Sequence, residues 1–166
     1  LEGLLTTMIL KDLLTSISPL RILGDTGKDI TAIQFDSRKV EAGNLFVAQA
    51  GTAVDGHQFI ASCVEKGAAA IVLSNDAYLP QEAGTTTYIL VENTDRALGL
   101  LAGAWYGNPS RQLTLVGVTG TNGKTTIATL LYKMVRAMGY KAGLLSTVCN
   151  YINDEPVPAT HTTPDA

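Results

Sequence analysis

The residues whose types and spacing best suit chemistry lie at positions 120–126, Gly-Thr-Asn-Gly-Lys-Thr-Thr. Glycines allow backbone N–H groups to converge on a polyphosphate. Lys124 can reach the β- and γ-phosphates of a nucleotide triphosphate, and the Thr125 hydroxyl can bind Mg2+. The predicted phosphate-binding residues are Gly120, Thr121, Asn122, Gly123, Lys124, Thr125 and Thr126.

The spacing departs from the general phosphate-loop pattern at one position. That pattern has a glycine where this chain has Val118, and Gly117 lies one residue out of place. The stretch is therefore a shortened variant of the pattern. An ordinary glycine turn with a merely solvated Lys124 is the competing interpretation, but the agreement of the flanking elements favours the phosphate loop.

The flanking residues predict the two elements that would position this loop. Residues 113–118 are rich in Val and Leu and predict a short buried strand. After the loop, apolar residues recur at helical spacing, and Gly139 suits a C-terminal cap. Free N–H groups and the dipole at the start of this helix would favour an anion. Its apolar stripe consists of Ile127, Leu130, Leu131, Met134, Val135 and Met138.

Two polar clusters follow predicted strands nearer the start of the chain. Asp36, Ser37 and Arg38 follow one strand, and the loop from Thr52 to His57 follows the next. Loops at strand ends of α/β domains commonly bind ligands, and these two loops could approach the same crevice.

Both clusters also have a purely structural interpretation. Asp36 can bond the local backbone in a turn that leaves Arg38 exposed. The pair Asp55-Gly56 favours a turn, and His57 suits the start of a helix better than a catalytic role.

A third polar cluster comprises His161, Thr162, Thr163, Pro164 and Asp165. These residues are typical of a helix start, with threonine as the cap and proline in the first turn. The same arrangement would gather hydroxyls and N–H groups around an anionic ligand. The residues alone leave both interpretations open.

Composition excludes some classes of protein. The formal net charge is −3 and the charged fraction 16%, which argues against a protein that coats nucleic acid. No apolar run approaches the length of a membrane span, so we expect no membrane partner. The two cysteines, Cys63 and Cys149, have no metal-ligand spacing and predict a reduced cytoplasmic protein.

The order of predicted elements indicates two α/β domains. Residues 8–107 alternate strands and helices around a loop at 17–29, which predicts a small α/β sheet domain. A break at residues 107–109 separates it from residues 109–166, which begin a second α/β unit of the mononucleotide-binding type and end in a hairpin at 148–157. This unit has too little core to be stable in isolation, so we expect the chain to be a piece of a longer protein.

Several stretches resemble the Mur ligase family. Asp-Ser-Arg-x-Val-x-x-Gly-x-Leu-Phe-Val-Ala at 36–48, Asp-Gly-His-x-Phe-Ile at 55–60 and Gly-Ala-x-Ala at 67–70 are similar to its N-terminal domain. Gly-Val-Thr-Gly-Thr-Asn-Gly-Lys-Thr-Thr at 117–126 resembles the start of its ATPase domain, which has the short form of the loop. Thr-Thr-Pro-Asp-Ala at 162–166 is most similar to the family members that add the third residue of the peptidoglycan stem peptide.

The resemblance implies an ATP-dependent amide ligase that acts on UDP-MurNAc-L-Ala-D-Glu. ATP would phosphorylate the D-Glu side-chain carboxylate, and the amine of a diamino acid, diaminopimelate or lysine, would attack the acyl phosphate. Diaminopimelate is expected on family frequency. Lys124 would be catalytic, because with Mg2+ it would neutralise the charge that develops in phosphoryl transfer. We expect a monomer, with residues 8–107 as the UDP-binding domain and residues 109–166 as the beginning of the ATP-binding domain.

The resemblance also assigns substrate-binding residues. Phe35 and Ser37 would hold the uridine end of the substrate. The same site would be lined by Thr52, Ala53 and Val54, and the muramoyl-peptide part would be held by His161, Thr162 and Thr163. The second-metal residues, the carbamylated lysine and the C-terminal domain of the family would lie beyond Ala166, so we expect this piece not to catalyse ligation.

Three other functions compete with this one. A generic phosphate-loop NTPase or kinase would need an acidic strand-end residue for Mg2+ after the loop helix, and it would not account for the N-terminal motifs. A MurF-type, folate-type or cyanophycin-type ligase would share the ATP loop but differ in the first domain. A non-enzymatic UDP-sugar-binding module would keep the first domain alone.

Overall fold

The computed structural model describes residues 7–51, 54–148 and 150–157, and the chain divides into two units. The first unit ends at Gln112 and the second begins at Leu113. The predicted break at residues 107–109 ends the last helix of the first unit. A 3-10 turn, Pro109–Gln112, follows that break, and Arg111 N–H donates to Asn108 O at 3.0 Å. This turn belongs to the first unit, so the division falls after Gln112.

The first unit alternates short strands and helices, as its sequence predicts. The loop predicted at 17–29 contains two strands that the sequence pattern did not indicate. In chain order the elements are β1 (Met8–Ile9), α1 (Leu10–Leu14), β2 (Arg21–Leu23), β3 (Asp29–Ile30), β4 (Ile33–Gln34), β5 (Leu45–Val47), α2 (Ile60–Glu65), β6 (Ala70–Leu73), β7 (Thr87–Leu90) and α3 (Thr94–Trp105).

A five-stranded sheet in the order β2-β7-β6-β5-β4 forms the centre of this unit. Strands β4, β5, β6 and β7 are parallel, and β2 joins β7 antiparallel with Ile22 opposite Ile89. All four residues of β6, Ala-Ile-Val-Leu, are buried. A continuous apolar strand of this kind is typical of a parallel sheet that is covered on both faces.

Successive residues of the central strands point to opposite faces of the sheet and enter two cores. Leu45 and Val47 pack with α1 and α3, whereas Phe46 packs with Ile60 and Cys63 of α2. Helices therefore cover both faces of the sheet. The carboxyl ends of the parallel strands are left at one edge, where the loops that follow them can meet.

The second unit contains the helix predicted after the glycine loop, α4 (Lys124–Ala137). It also contains β8 (Gly143–Leu144), β9 (Asn150–Ile152) and β10 (Glu155–Val157), an antiparallel sheet in the order β10-β9-β8. The hairpin turns at Asn153 and Asp154, and Arg136 of α4 forms an ion pair with Asp154. The predicted helix and hairpin are thus confirmed.

The strand predicted at 113–118 is wrong, because these residues form no strand in the structure. Leu113, Leu115 and Val116 are exposed, and no strand in the described part of the chain pairs with this segment. A central parallel strand depends on hydrogen bonds to its neighbours, so a strongly apolar sequence does not form one without them.

The described helices include none that is long and apolar enough to cross a bilayer.

Candidate functional site

Two glycines shape the backbone ahead of α4. Gly120 has a φ of 147° and Gly123 a φ of 79°, both in the region where side chains with a Cβ are disfavoured. Gly123 is the residue that immediately precedes the helix, and residues 120–123 form successive bends. The chain therefore turns sharply at these two positions and enters α4 at Lys124, as the phosphate-loop pattern predicts.

The first turn of α4 presents backbone N–H groups at the end of this bend. Ile127 N–H donates to Gly123 O at 2.9 Å. The N–H groups of the three residues before it have no acceptor within the helix, because the first turn of any α-helix lacks a preceding turn. Free donors and the helix dipole together favour an anion at this position.

The Lys124 ammonium group lies over the glycine bend. Lys124 Nζ donates to Gly120 O at 2.6 Å and is 3.4 Å from Thr121 O. The side chain is exposed but folded back onto its own loop. A cation, free N–H groups and the Thr125 hydroxyl thus occur within one short segment, and this set can neutralise the charge of a phosphate.

A divalent metal ion would fit this segment only together with a phosphate. The described residues contain no group of three or more His, Cys, Asp or Glu side chains that could hold a metal. Mg2+ commonly takes few protein ligands and completes its coordination with phosphate oxygens and water. The Thr125 hydroxyl, in the first turn of α4, is one of the side-chain oxygens that this segment offers to such an ion.

The loops predicted to bind the substrate follow β4 and β5, which are neighbours in the sheet. Gln34 pairs with Phe46, so Phe35 and the loop after β5 leave the sheet at the same edge. Phe35 and Val54 are 41% and 54% exposed. An exposed aromatic ring and an exposed aliphatic side chain are suited to contact a planar base.

The turn that contains Ser37 is held from two sides. Asp36 Oδ1 accepts from Arg38 N–H at 3.0 Å, so the predicted local turn is confirmed. The Arg38 guanidinium, which donates to both carboxylate oxygens, lowers the pKa of Asp36 from 3.8 to about 2. Lys66 Nζ donates to Ser37 O at 2.7 Å across the chain. The Ser37 backbone therefore has a defined position.

His57 is buried and uses both ring nitrogens. It lies in the 3-10 turn Gly56–Phe59 that leads into α2, which confirms its predicted place at a helix start. Its Nδ1 is 2.6 Å from Asp55 Oδ1, and its Nε2 accepts from Ser74 N–H at 3.0 Å. Hydrogen bonds from the His57 backbone and then its imidazole lower the pKa of Asp55. The bond to Ser74 joins residues 17 positions apart, and no local pattern in the sequence indicates it.

The structure also contains a cavity of about 660 Å³ that the sequence did not suggest. It lies in the first unit, between the loop after α1 and the start of α3, and its lining includes Ser16, Val91, Asn93, Arg96 and Leu100. None of the predicted site residues lines it. Five of those residues lie outside the described residues, namely Thr52, Ala53, His161, Thr162 and Thr163.

The folded elements define a mixed α/β protein with a glycine bend that opens a helix. Two family models match this chain: "Mur ligase family, catalytic domain" at residues 29–106 and "Mur ligase middle domain" at residues 118–166. Together they cover well over half of the chain. The chain belongs to the Mur ligase family.

Relatives from several organisms are similar along almost the whole chain. A protein of Parabacteroides distasonis is 58% identical over 159 residues, and one of Bacteroides fragilis is 57% identical over 159 residues. Each match covers 95% of this chain and 32% of the relative. Both relatives are named UDP-N-acetylmuramoyl-L-alanyl-D-glutamate--2,6-diaminopimelate ligase. The chain thus spans about a third of the length of the relatives it matches.

Solved structures share the fold. The structure of a UDP-N-acetylmuramoyl-L-alanyl-D-glutamate--2,6-diaminopimelate ligase matches 96% of this chain and 31% of its own, with a TM-score of 0.69 at 23% identity. MurF from Acinetobacter baumannii matches 81% of this chain and 28% of its own, with a TM-score of 0.56 at 27% identity. The predicted α/β fold of the Mur ligase type is confirmed.

Proposed function

We propose that this chain is part of an ATP-dependent ligase that joins 2,6-diaminopimelate to UDP-MurNAc-L-Ala-D-Glu in peptidoglycan synthesis. The observation that carries the proposal is identity of 51% or more, across 95% of the chain, to relatives that bear this name. MurF from Acinetobacter baumannii is less similar to this chain than these relatives are, at 27% identity. For the chain itself, which spans a third of such a ligase, the proposed activities are binding of the UDP substrate and of ATP.

In this proposal the second unit binds ATP. Lys124 and the N–H groups of the first turn of α4 receive the phosphates, and the Thr125 hydroxyl receives Mg2+. When bound, ATP supplies the phosphoryl group that turns a carboxylate into an acylating agent. Lys124 then acts as an electrostatic catalyst, because its ammonium group neutralises charge on the transferred phosphoryl oxygens. The bend at Gly120 and Gly123 supports this role because it leaves the backbone open to a phosphate.

The first unit binds the UDP end of the substrate in this proposal. We assign the contacts with the uridine end to five residues. Three of them lie in the described part of the chain, namely Phe35, Ser37 and Val54, and the other two are Thr52 and Ala53. His161, Thr162 and Thr163 hold the muramoyl-peptide part. The exposed Phe35 ring at the carboxyl edge of the sheet supports this assignment, since ligands of parallel α/β sheets bind at that edge.

The wider assignments follow from the same proposal. The ligase acts as a monomer in the cytoplasm, where nucleotide-linked precursors are made, and it binds neither a membrane nor nucleic acid. The net charge of −3 supports the last point, because nucleic-acid-binding domains carry a basic surplus.

Titration calorimetry of the 166-residue chain with ATP, UDP and UDP-MurNAc-L-Ala-D-Glu tests the proposal. We expect all three to bind, and Lys124→Ala to weaken ATP binding about 10-fold or more, the usual effect of losing a charged hydrogen bond. Lys133→Ala, an exposed lysine on the same helix, is the matched control and should leave ATP binding unchanged. UDP binding should survive both changes.

The pattern of binding separates the alternatives. Binding of ATP without UDP would support a generic phosphate-loop NTPase and contradict the ligase. Binding of UDP without ATP would leave the UDP-sugar-binding module and contradict the role of Lys124.

A further inference from the structure

We propose that His57 is a positioning residue that fixes the end of the loop after β5, residues 54–56, against the carboxyl end of β6. This inference rests on the proposed function, in which that loop forms one wall of the UDP site. His57 does not touch the substrate in this account. It acts through Asp55 and through the backbone on either side of it.

The contacts of the His57 ring identify a bridge between two loops. Ser74 N–H can only donate, so His57 Nε2 accepts and the ring hydrogen lies on Nδ1, from which it is donated to Asp55 Oδ1 at 2.6 Å. The same carboxylate oxygen accepts from His57 N–H at 3.0 Å. The side chain is 2% exposed and its ring lies 5.4 Å from that of Tyr78. Both ring nitrogens are therefore occupied within the protein.

The loop has other hydrogen bonds, and they show what His57 adds. Gly56 N–H donates to Gln49 O at 2.8 Å, and Ala50 pairs with Asp55, so these bonds close the loop on itself. At its start, Gln49 Nε2 donates to Asp95 Oδ1 at 2.8 Å. At its end, the His57 bridge ties it to Ser74. The two tethers restrain both ends of the segment that carries Val54.

The second wall of the proposed site is held from the same part of the fold. Lys66 follows α2 directly and donates to Ser37 O in the turn after β4, whereas His57 precedes α2. Helix α2 is itself anchored through Ile60 and Cys63 in the core. One helix therefore braces the two loops that the function assigns to UDP, with His57 at its start and Lys66 at its end.

Two variants of His57 each remove one of the two hydrogen bonds that its ring forms. In His57→Gln, the amide oxygen can reach the position of Nε2 and accept from Ser74, but the donor to Asp55 is lost. In His57→Asn, the amide N–H can still donate to Asp55, but the side chain is too short to reach Ser74. If both halves are needed, each variant should weaken UDP binding about 10-fold while ATP binding stays unchanged.

The control is Ile30→Val, which trims a buried side chain in the core on the other side of the sheet. It should lower the unfolding temperature of the first unit without changing the UDP affinity of the folded chain. All affinities are measured well below the unfolding transition. A purely structural role for His57 would make its variants behave like Ile30→Val, with unchanged UDP affinity, and this result would overturn the proposal.

Amide hydrogen exchange without any ligand supplies a second readout. We expect both His57 variants, but not Ile30→Val, to accelerate exchange at Gly56 N–H. If the unchanged chain does not bind UDP, the proposed function fails, whereas exchange still decides whether His57 orders the loop. Unaltered exchange at Gly56 in both His57 variants would overturn the positioning role independently.

Discussion

The two units of the chain differ in how far their apolar side chains are buried. In the first unit, the sheet is covered on both faces, and residues such as Phe46, Leu45 and Leu101 are at most 1% exposed. In the second unit, Leu144 is the one apolar side chain that is buried among those described, and Leu130 of α4 is 62% exposed. The helix has the apolar stripe that its sequence predicts. Within it Leu131 and Val135 are half-buried, whereas the other members, Ile127, Leu130, Met134 and Met138, are exposed.

Because of this difference, the candidate binding segments of the two units keep their geometry for different reasons. The first unit has a packed core on both faces of its sheet, so we expect the turns at residues 36–38 and 55–57 to keep their geometry without a ligand. The second unit has its glycine bend and Lys124 in place although most of its apolar surface is uncovered. The glycine bend that we propose to bind phosphate therefore depends on local backbone chemistry, whereas the loops that we propose to bind UDP depend on the packed sheet beneath them.

The largest effect should come from truncating the core of the first unit. We expect Phe46→Ala to cost about 3–5 kcal/mol, because it leaves a cavity in a close-packed interior. The matched change in the second unit, Leu130→Ala, should cost less than about 0.5 kcal/mol, as surface substitutions usually do. Chemical denaturation, followed by Trp105 fluorescence for the first unit and by hydrogen exchange of α4 for the second, measures both. A comparable loss for Leu130→Ala would contradict the contrast, because it would mean that the stripe is covered in solution.

A glycine pair tests the contrast at the backbone. A Cβ at Gly56 would lie 2.6 Å from Gln49 O, a backbone atom that cannot move away freely, whereas a Cβ at Gly117 would meet nothing within 4 Å. We expect Gly56→Ala to destabilise the first unit by about 1–3 kcal/mol. Gly117→Ala should be neutral or slightly stabilising, since alanine restricts the unfolded chain. Unfolding curves of both variants provide the measurement, and equal losses would contradict the assignment of a rigid loop to the first unit.

The smallest effect concerns an exposed ion pair that each unit possesses. Arg38 lowers the pKa of Asp36 to about 2, and Arg136 lowers the pKa of Asp154. A carboxyl group with a lowered folded-state pKa contributes stability above its unfolded value of 3.8, and that contribution is lost as the pH falls toward 2. Since one partner of each pair, Arg38 or Asp154, is largely exposed to water, the loss should be slight in either unit.

NMR titration of the Asp36 side-chain carboxyl carbon tests this directly. We expect a midpoint near 2 that returns toward 3.8 in Arg38→Ala. A midpoint that does not respond to the substitution would show that Arg38 is not the cause of the shift.

The sequence predicted elements well where local patterns carry the information. Helix α4 has a regular stripe, a glycine start and a glycine end, and its predicted start at Lys124 is correct. The central strands β5 and β6 are apolar and buried throughout, which is the composition typical of covered parallel strands. Strand β2 has three residues, too few to show an alternation. Residues 113–118 have the composition of a strand but lack a partner strand among the described residues. Composition alone therefore predicted a strand that the structure does not contain.

The features of the candidate site also differ in whether they depend on neighbouring residues or on residues that are distant in the chain. The glycine bend is encoded within seven consecutive residues, so its geometry could be predicted from them. The bridge from His57 to Ser74 and the tether from Lys66 to Ser37 join residues that are distant in the chain. Such contacts exist only once the parallel strands have assembled, and a single sequence carries no local sign of them. The motif around Asp55 and His57 indicated a turn but not what the turn supports.

The resting contact of Lys124 with Gly120 O affects the thermodynamics of any phosphate that enters the bend. The lysine side chain is already partly ordered on the loop, so an incoming anion exchanges one oxygen partner for another instead of immobilising a freely rotating chain. Ordering a lysine can cost about 1.5–2 kcal/mol in rotamer entropy, and part of that cost is borne before the ligand arrives. The binding of a phosphate should therefore have a favourable enthalpy and only a small entropy change from the Lys124 side chain.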